Sequence, residues 1–151
     1  MKKIIIVCFL VAISSIVPVF CQSNLLIDVM LREKQATFGK AVYLILTSGA
    51  IISEKTPIVG ALKALEEKRW GFSGKKDSDS LTIGELSLLL MKSFDLPGGI
   101  MYSLLGGPRY AYREMKYLDL IKDTKGAGGF VSGMTVVQTI GKVIEWKEKY
   151  Q

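Results

Sequence analysis

An apolar period of helical spacing runs almost unbroken through residues 25–146, punctuated by helix start and stop signals, and it restricts the fold more than any other feature. Ser23-Asn24 can cap a short segment, Leu25 to Glu33. Thr37 can cap the next, where Phe38, Ala41, Val42 and Ile45 recur at i, i+3, i+4 and i+7 before a stop at Gly49. Thr56-Pro57 starts a third, with Pro where its missing N–H costs nothing. Ile58, Ala61, Leu62 and Leu65 form its inward stripe, closed by Gly71. Thr82 and Glu85 make a T-x-x-E capping box, with Leu81 set to pack on Leu86 as a hydrophobic staple. That helix runs through Leu89, Leu90 and Phe94 to Asp95, where Pro97-Gly98-Gly99 ends it. Ile100 to Leu105 is a short apolar turn or helix, and Arg109 to Asp123 an amphipathic helix with Ala111, Met115 and Leu118 on one stripe and Tyr110, Tyr117 and Ile121 beside it. Ser132 caps the last helix, where Val131 and Val136 repeat the staple and Val137, Ile140, Gly141 and Ile144 face inward. No segment alternates as a β-hairpin does. The expected fold is all-α, a small bundle of five to six helices built from helix-hairpin repeats, in one domain over residues 22–151.

The 151 residues include no histidine, and the only cysteines are Cys8 and Cys21, both in the apolar start of the chain. With that start removed, a His-based triad, a Cys nucleophile, a structural zinc site and a haem-ligating His are outside the chemistry of the mature chain. With 49% apolar and 23% charged residues it has the makings of a core.

Met1-Lys2-Lys3, the apolar run Ile4 to Ile13, and Pro18 ahead of Cys21-Gln22 have the three-part layout of a signal peptide, expected to span residues 1–21. A retained anchor would want about 20 uninterrupted apolar residues, whereas Ser14, Ser15 and Pro18 break this run. Cleavage after Cys21 gives a soluble secreted or periplasmic chain starting at Gln22. The alternative is lipidation of Cys21, against which Phe20 stands where lipoprotein leaders carry a small residue. Loss of Lys2 and Lys3 leaves 18 basic against 14 acidic residues, a net charge of +4. Those charges are scattered, which suits anionic glycans or head groups and not nucleic acid.

Leu81 to Leu86 echoes Val131 to Val136 at a spacing of 50 residues, cap on cap and staple on staple, and Leu90 with Ile140 and Lys92 with Lys142 continue the match. The segment Leu81-Thr-Ile-Gly-Glu-Leu-Ser-Leu-Leu-Leu90 resembles the second helix of S-layer homology repeats. Arg109 to Ile121, and Ala41 to Ile52, resemble that family's first helix. The resemblance, over residues 38–146, implies a helical and often three-part pseudo-symmetric domain that binds cell-wall polysaccharide without catalysis. Ile83 and Gly133 stand where the family motif carries its ligand-binding Arg, so the resemblance implies a divergent relative of the same shape in which the family's polysaccharide site is absent, and not a competent wall anchor. Thr82 and Glu85 keep a structural, capping role.

Arg109, Arg113 and Lys116 recur at i, i+4 and i+7 with Tyr112 between them, a face able to grip a phosphate, sulfate or uronate. The plainer reading of that face is a solvated one balanced by Glu114 and Asp119. Asp77-Ser78-Asp79-Ser80 starts like a calcium loop but has Leu81, Thr82 and Leu88 where ligands and the turn glycine belong, so no metal is expected. Gly126-Ala127-Gly128-Gly129 lacks the strand and the Lys-Ser/Thr of a phosphate loop. Adjacent Glu66 and Glu67 point about 100° apart and cannot flank one bond. No Ser-x-x-Lys with a supporting motif occurs. The chain is expected to be no enzyme and to need no cofactor. Its expected role is that of an exported binding or scaffolding module of a bacterial cell envelope, with an envelope glycan or another envelope protein as partner. It would engage no nucleic acid, and a membrane only if Cys21 is lipidated. The alternative is a small secreted or lipid-anchored protein that recruits another protein through Ile100 to Leu105, without glycan binding.

Overall fold

The computed structural model describes residues 22–122 and 125–150, with side chains from residue 25 onward. Seven helices lie among the described residues: α1 (Gln22–Leu31), α2 (Phe38–Ser48), α3 (Ile58–Lys68), α4 (Ile83–Ser93), α5 (Ile100–Leu105), α6 (Pro108–Tyr117) and α7 (Gly133–Tyr150). The expected leader, with Cys8 and Cys21, lies outside them. The bundle is helical throughout, with one helix more than expected because the short segments at 22–31 and 100–105 both close helical turns.

Three helix pairs, α2–α3, α4–α6 and α1–α7, pack together, and they meet where α2, α4 and α7 begin. The N–H of Ala36 donates to the carbonyl of Val131 (2.8 Å), that of Val131 to Leu81 (3.1 Å), and that of Leu81 back to Ala36 (2.9 Å). Each of these residues gives one backbone bond and receives one, closing a triangle. All three are fully or almost fully buried, and each is followed by a hydroxyl residue, Thr37, Thr82 or Ser132, at the mouth of its helix. The spacings are 45 residues from Ala36 to Leu81 and 50 from Leu81 to Val131.

The loops obey the same relation. The N–H groups of Phe38 and Gly39 donate to the carbonyls of Asp79 and Asp77, and those of Ile83 and Gly84 to Gly129 and Ala127. These bonds satisfy first-turn donors that a helix cannot satisfy itself. At the third junction the supply comes from the end of α1, where the Glu33 carbonyl accepts from Gly133. That approach is close enough that a Cβ on Gly133 would stand 1.9 Å from the Met30 carbonyl oxygen.

Two long helices form the centre. α2 buries Phe38, Ala41, Val42, Ile45 and three further apolar neighbours, and α4 buries residues 86–91 almost without a break. The staple residues Leu81 and Leu86 are wholly enclosed, each such leucine worth roughly 1.5–3 kcal/mol against exposure.

Several expected details are corrected. Ser23 and Asn24 fall inside α1. α3 ends at Lys68, closed by Arg69 in the left-handed region (φ 53°) and not by Gly71. α6 ends at Tyr117, because Asp119 turns left-handed (φ 56°) and the N–H groups of Leu120 and Ile121 fold back onto the Met115 carbonyl. Tyr117 is consequently exposed. In α7 the inward stripe is Val136, Thr139, Ile140 and Val143, one residue from the expected register, while Ile144 is exposed. Contact of Gly133 with α1 sets that rotation, since positions 136, 140 and 143 lie on the same side of the helix.

Candidate functional site

The capping box forms as its sequence demands. Glu85 N–H donates to Thr82 Oγ1 (3.3 Å), and Thr82 N–H to Glu85 Oε2 (2.9 Å). Lys75 Nζ completes the charge at 2.6 Å from Glu85 Oε1. At the equivalent place in α7, Thr135 N–H donates to Ser132 Oγ (3.2 Å). In α2, Thr37 makes no side-chain cap; its N–H donates instead to Glu33, which pairs with Lys40. All of these groups are engaged in holding helix starts.

Arg109, Arg113 and Lys116 are exposed along α6. Tyr112 is turned into the core, with Lys116 Nζ 5.6 Å from its ring centroid. The three cations therefore share a face, but the tyrosine offers it no open ring.

The Asp77 to Ser80 segment serves the fold. Its carbonyls receive the first N–H groups of α2, and Asp79 Oδ2 accepts from Lys76 N–H at 2.9 Å. No group of three or more acidic side chains close enough to hold a metal occurs among the described residues. Glu66 and Glu67 are both exposed and belong to no carboxylate cluster.

A feature the sequence reading missed lies at the end of α3. Arg69, Trp70 and Phe72 leave the helix over α2 and open a cleft of about 420 Å³. Phe38 and Phe72 form its floor, their ring centroids 5.5 Å apart. Lys63, Arg69 and Lys75 supply positive charge around it, and Glu66 one carboxylate. Lys75 is held by Glu85, whereas Lys63 and Arg69 have no ion pair among the described residues. Trp70 is half-buried and also lines a second cleft of about 320 Å³, together with Arg69, Lys92 and Pro108. A signal was present in Arg69-Trp70-Gly71-Phe72, two aromatics and a cation directly after a helix.

An open cleft with aromatic walls and cations at its edge can bind a ligand with both apolar and anionic parts. Glu66 is the one carboxylate among the residues that line it. Arg109, Arg113 and Lys116 line neither cleft beside Trp70. Comparison with known proteins finds no match to a family model, to a curated protein or to a solved structure.

Proposed function

We propose that this chain is an exported, non-catalytic binding and scaffolding module of the bacterial cell envelope, a divergent relative of S-layer homology domains, whose ligand is an anionic glycan. The observation that carries this reading is the cleft in which Trp70 and Phe72 stand beside the unpaired cations Lys63 and Arg69. Sugar rings present apolar C–H faces that stack on aromatic side chains, and uronate, phosphate or pyruvate substituents call for a nearby cation. The three helix pairs, locked at one buried triangle of backbone bonds, give such a cleft a firm base.

With Ile83 and Gly133 at the motif's Arg positions, the cation in this chain is supplied from the end of α3. The cationic face of Arg109, Arg113 and Lys116 is a supplementary contact for a long polyanion, since it lacks an open aromatic surface.

The test is co-sedimentation of the processed chain, as recovered from its host envelope, with purified sacculi at low salt. The wild type is expected in the pellet, and Trp70→Ala and Arg69→Ala at least tenfold depleted from it. A wild-type chain left wholly in the supernatant would overturn the proposal.

A further inference from the structure

Ile100, Met101, Leu104 and Leu105 of α5 are 78%, 52%, 75% and 60% exposed, and the helix buries none of its residues. At 100° per residue these four side chains fill an arc of about 140°, so α5 is amphipathic with its apolar side turned to solvent. Tyr102, on the other side, is half-buried against Gly98 beneath Lys92, whose Nζ lies 5.7 Å from its ring centroid. The segment stands between Gly98-Gly99 and the left-handed Gly106 and Gly107 (φ 58° and 85°), so its backbone leaves and re-enters the bundle sharply.

At the foot of this projection the backbone of Gly106-Gly107-Pro108 walls the cleft shared with Arg69, Trp70 and Lys92. Arg109 and Arg113 follow on α6. The acidic groups in this region are Glu114, beside Gly99, and Asp95, which acts on Tyr102. Arg69 and Lys92 line that cleft and Arg109 and Arg113 are exposed on the helix that follows it, four cations against these two carboxylates and Glu66 near Arg69.

We infer that α5 is a wedge that enters the interface of an anionic phospholipid bilayer, its leucines among the acyl chains and the lipid phosphates over the cleft of Arg69 and Lys92. The adjacency of these chemistries favours a bilayer: an exposed apolar helix whose foot adjoins a cleft with a tryptophan and two cations matches acyl chains lying beside a phosphate layer. A protein partner would need an apolar groove rimmed with carboxylates in the same register. Among the described residues no helix is long and apolar enough to cross a membrane, and a wedge needs none. The contact requires no lipid on Cys21. It goes beyond the glycan proposal, so a chain that fails on sacculi can still pass here.

The test uses the full chain with brominated-lipid vesicles, of phosphatidylglycerol or of phosphatidylcholine, with the same residues 1–21 in every variant. Leu104→Trp reports depth at the tip, and Tyr117→Trp, at the far end of α6, serves as the reference. Quenching at position 104 at least twofold above the reference on phosphatidylglycerol, falling on phosphatidylcholine and reduced by Leu105→Glu in the same chain, is the expected result. Equal quenching at both positions would overturn the wedge, as would quenching indifferent to lipid charge. So would loss of binding to an envelope protein as the only effect of Leu104→Glu.

Discussion

Gly133 meets a carbonyl oxygen where any side chain would sit, so Gly133→Ala must push α1 away from α7. A loss of about 1–3 kcal/mol is expected, as for other overpacked sites, and a chemical denaturation midpoint unchanged from wild type would contradict it. Thr82→Ala removes the acceptor for Glu85 N–H, at an expected cost of about 1 kcal/mol. Arg69 separates stability from binding. Its left-handed backbone (φ 53°) favours glycine, so Arg69→Gly should change stability by no more than about 1 kcal/mol while abolishing retention on sacculi. The capping box was legible in the sequence because its two partners lie three residues apart. The tight seat of Gly133 was not, because it depends on where the α1 backbone arrives from 100 residues earlier.

Helices α5, α6 and α7 show how an element's boundary and rotation escape a reading of periodicity. The pattern of Ala111 and Met115 correctly placed the buried side of α6, yet its end is set by Asp119, a residue with no special sequence mark. In α7 the apolar residues Val136, Val137, Ile140, Val143 and Ile144 allow two registers, and only docking on α1 chooses between them. For α5 the sequence left a buried and an exposed reading both open, since exposed and buried leucines look alike in sequence, and the structure shows the exposed one. Leu104→Glu should alter stability without membranes by less than about 0.5 kcal/mol, whereas Met115→Ala in the core of α6 should cost about 2–5 kcal/mol. Equal losses would contradict the exposure of α5. At Tyr102, burial first and the Asp95 carboxylate second hold the phenol above its ordinary value near 10.0. The unfolded chain therefore gives up this proton at lower pH than the folded one. Its stabilising effect is whole below that value and fades as pH rises through the folded one. Thermal melts of wild type should lose ground faster above pH 10 than those of Tyr102→Phe; parallel curves would contradict this.

The whole molecule is joined at one point, where Ala36, Leu81 and Val131 bond in a ring. The sequence echo disclosed two of the three units. The first escaped because its spacing is 45 residues and not 50, and because Lys40 stands where Glu85 completes the box. All three amides should exchange with solvent only through global unfolding, with a common free energy. A separate, faster opening at Val131 would mean that the third pair is loosely attached. The site followed the same division. Its tryptophan and arginine were plain in the sequence, but the cleft exists only because the end of α3 is laid over Phe38 of α2. Proton–nitrogen correlation spectra of the labelled chain, titrated with a uronic-acid oligosaccharide, test this account most directly. The largest shifts are expected at the Trp70 indole and at the amides of Lys63, Arg69 and Lys75. Shifts confined to Arg109, Arg113 and Lys116, or none at all, would contradict it.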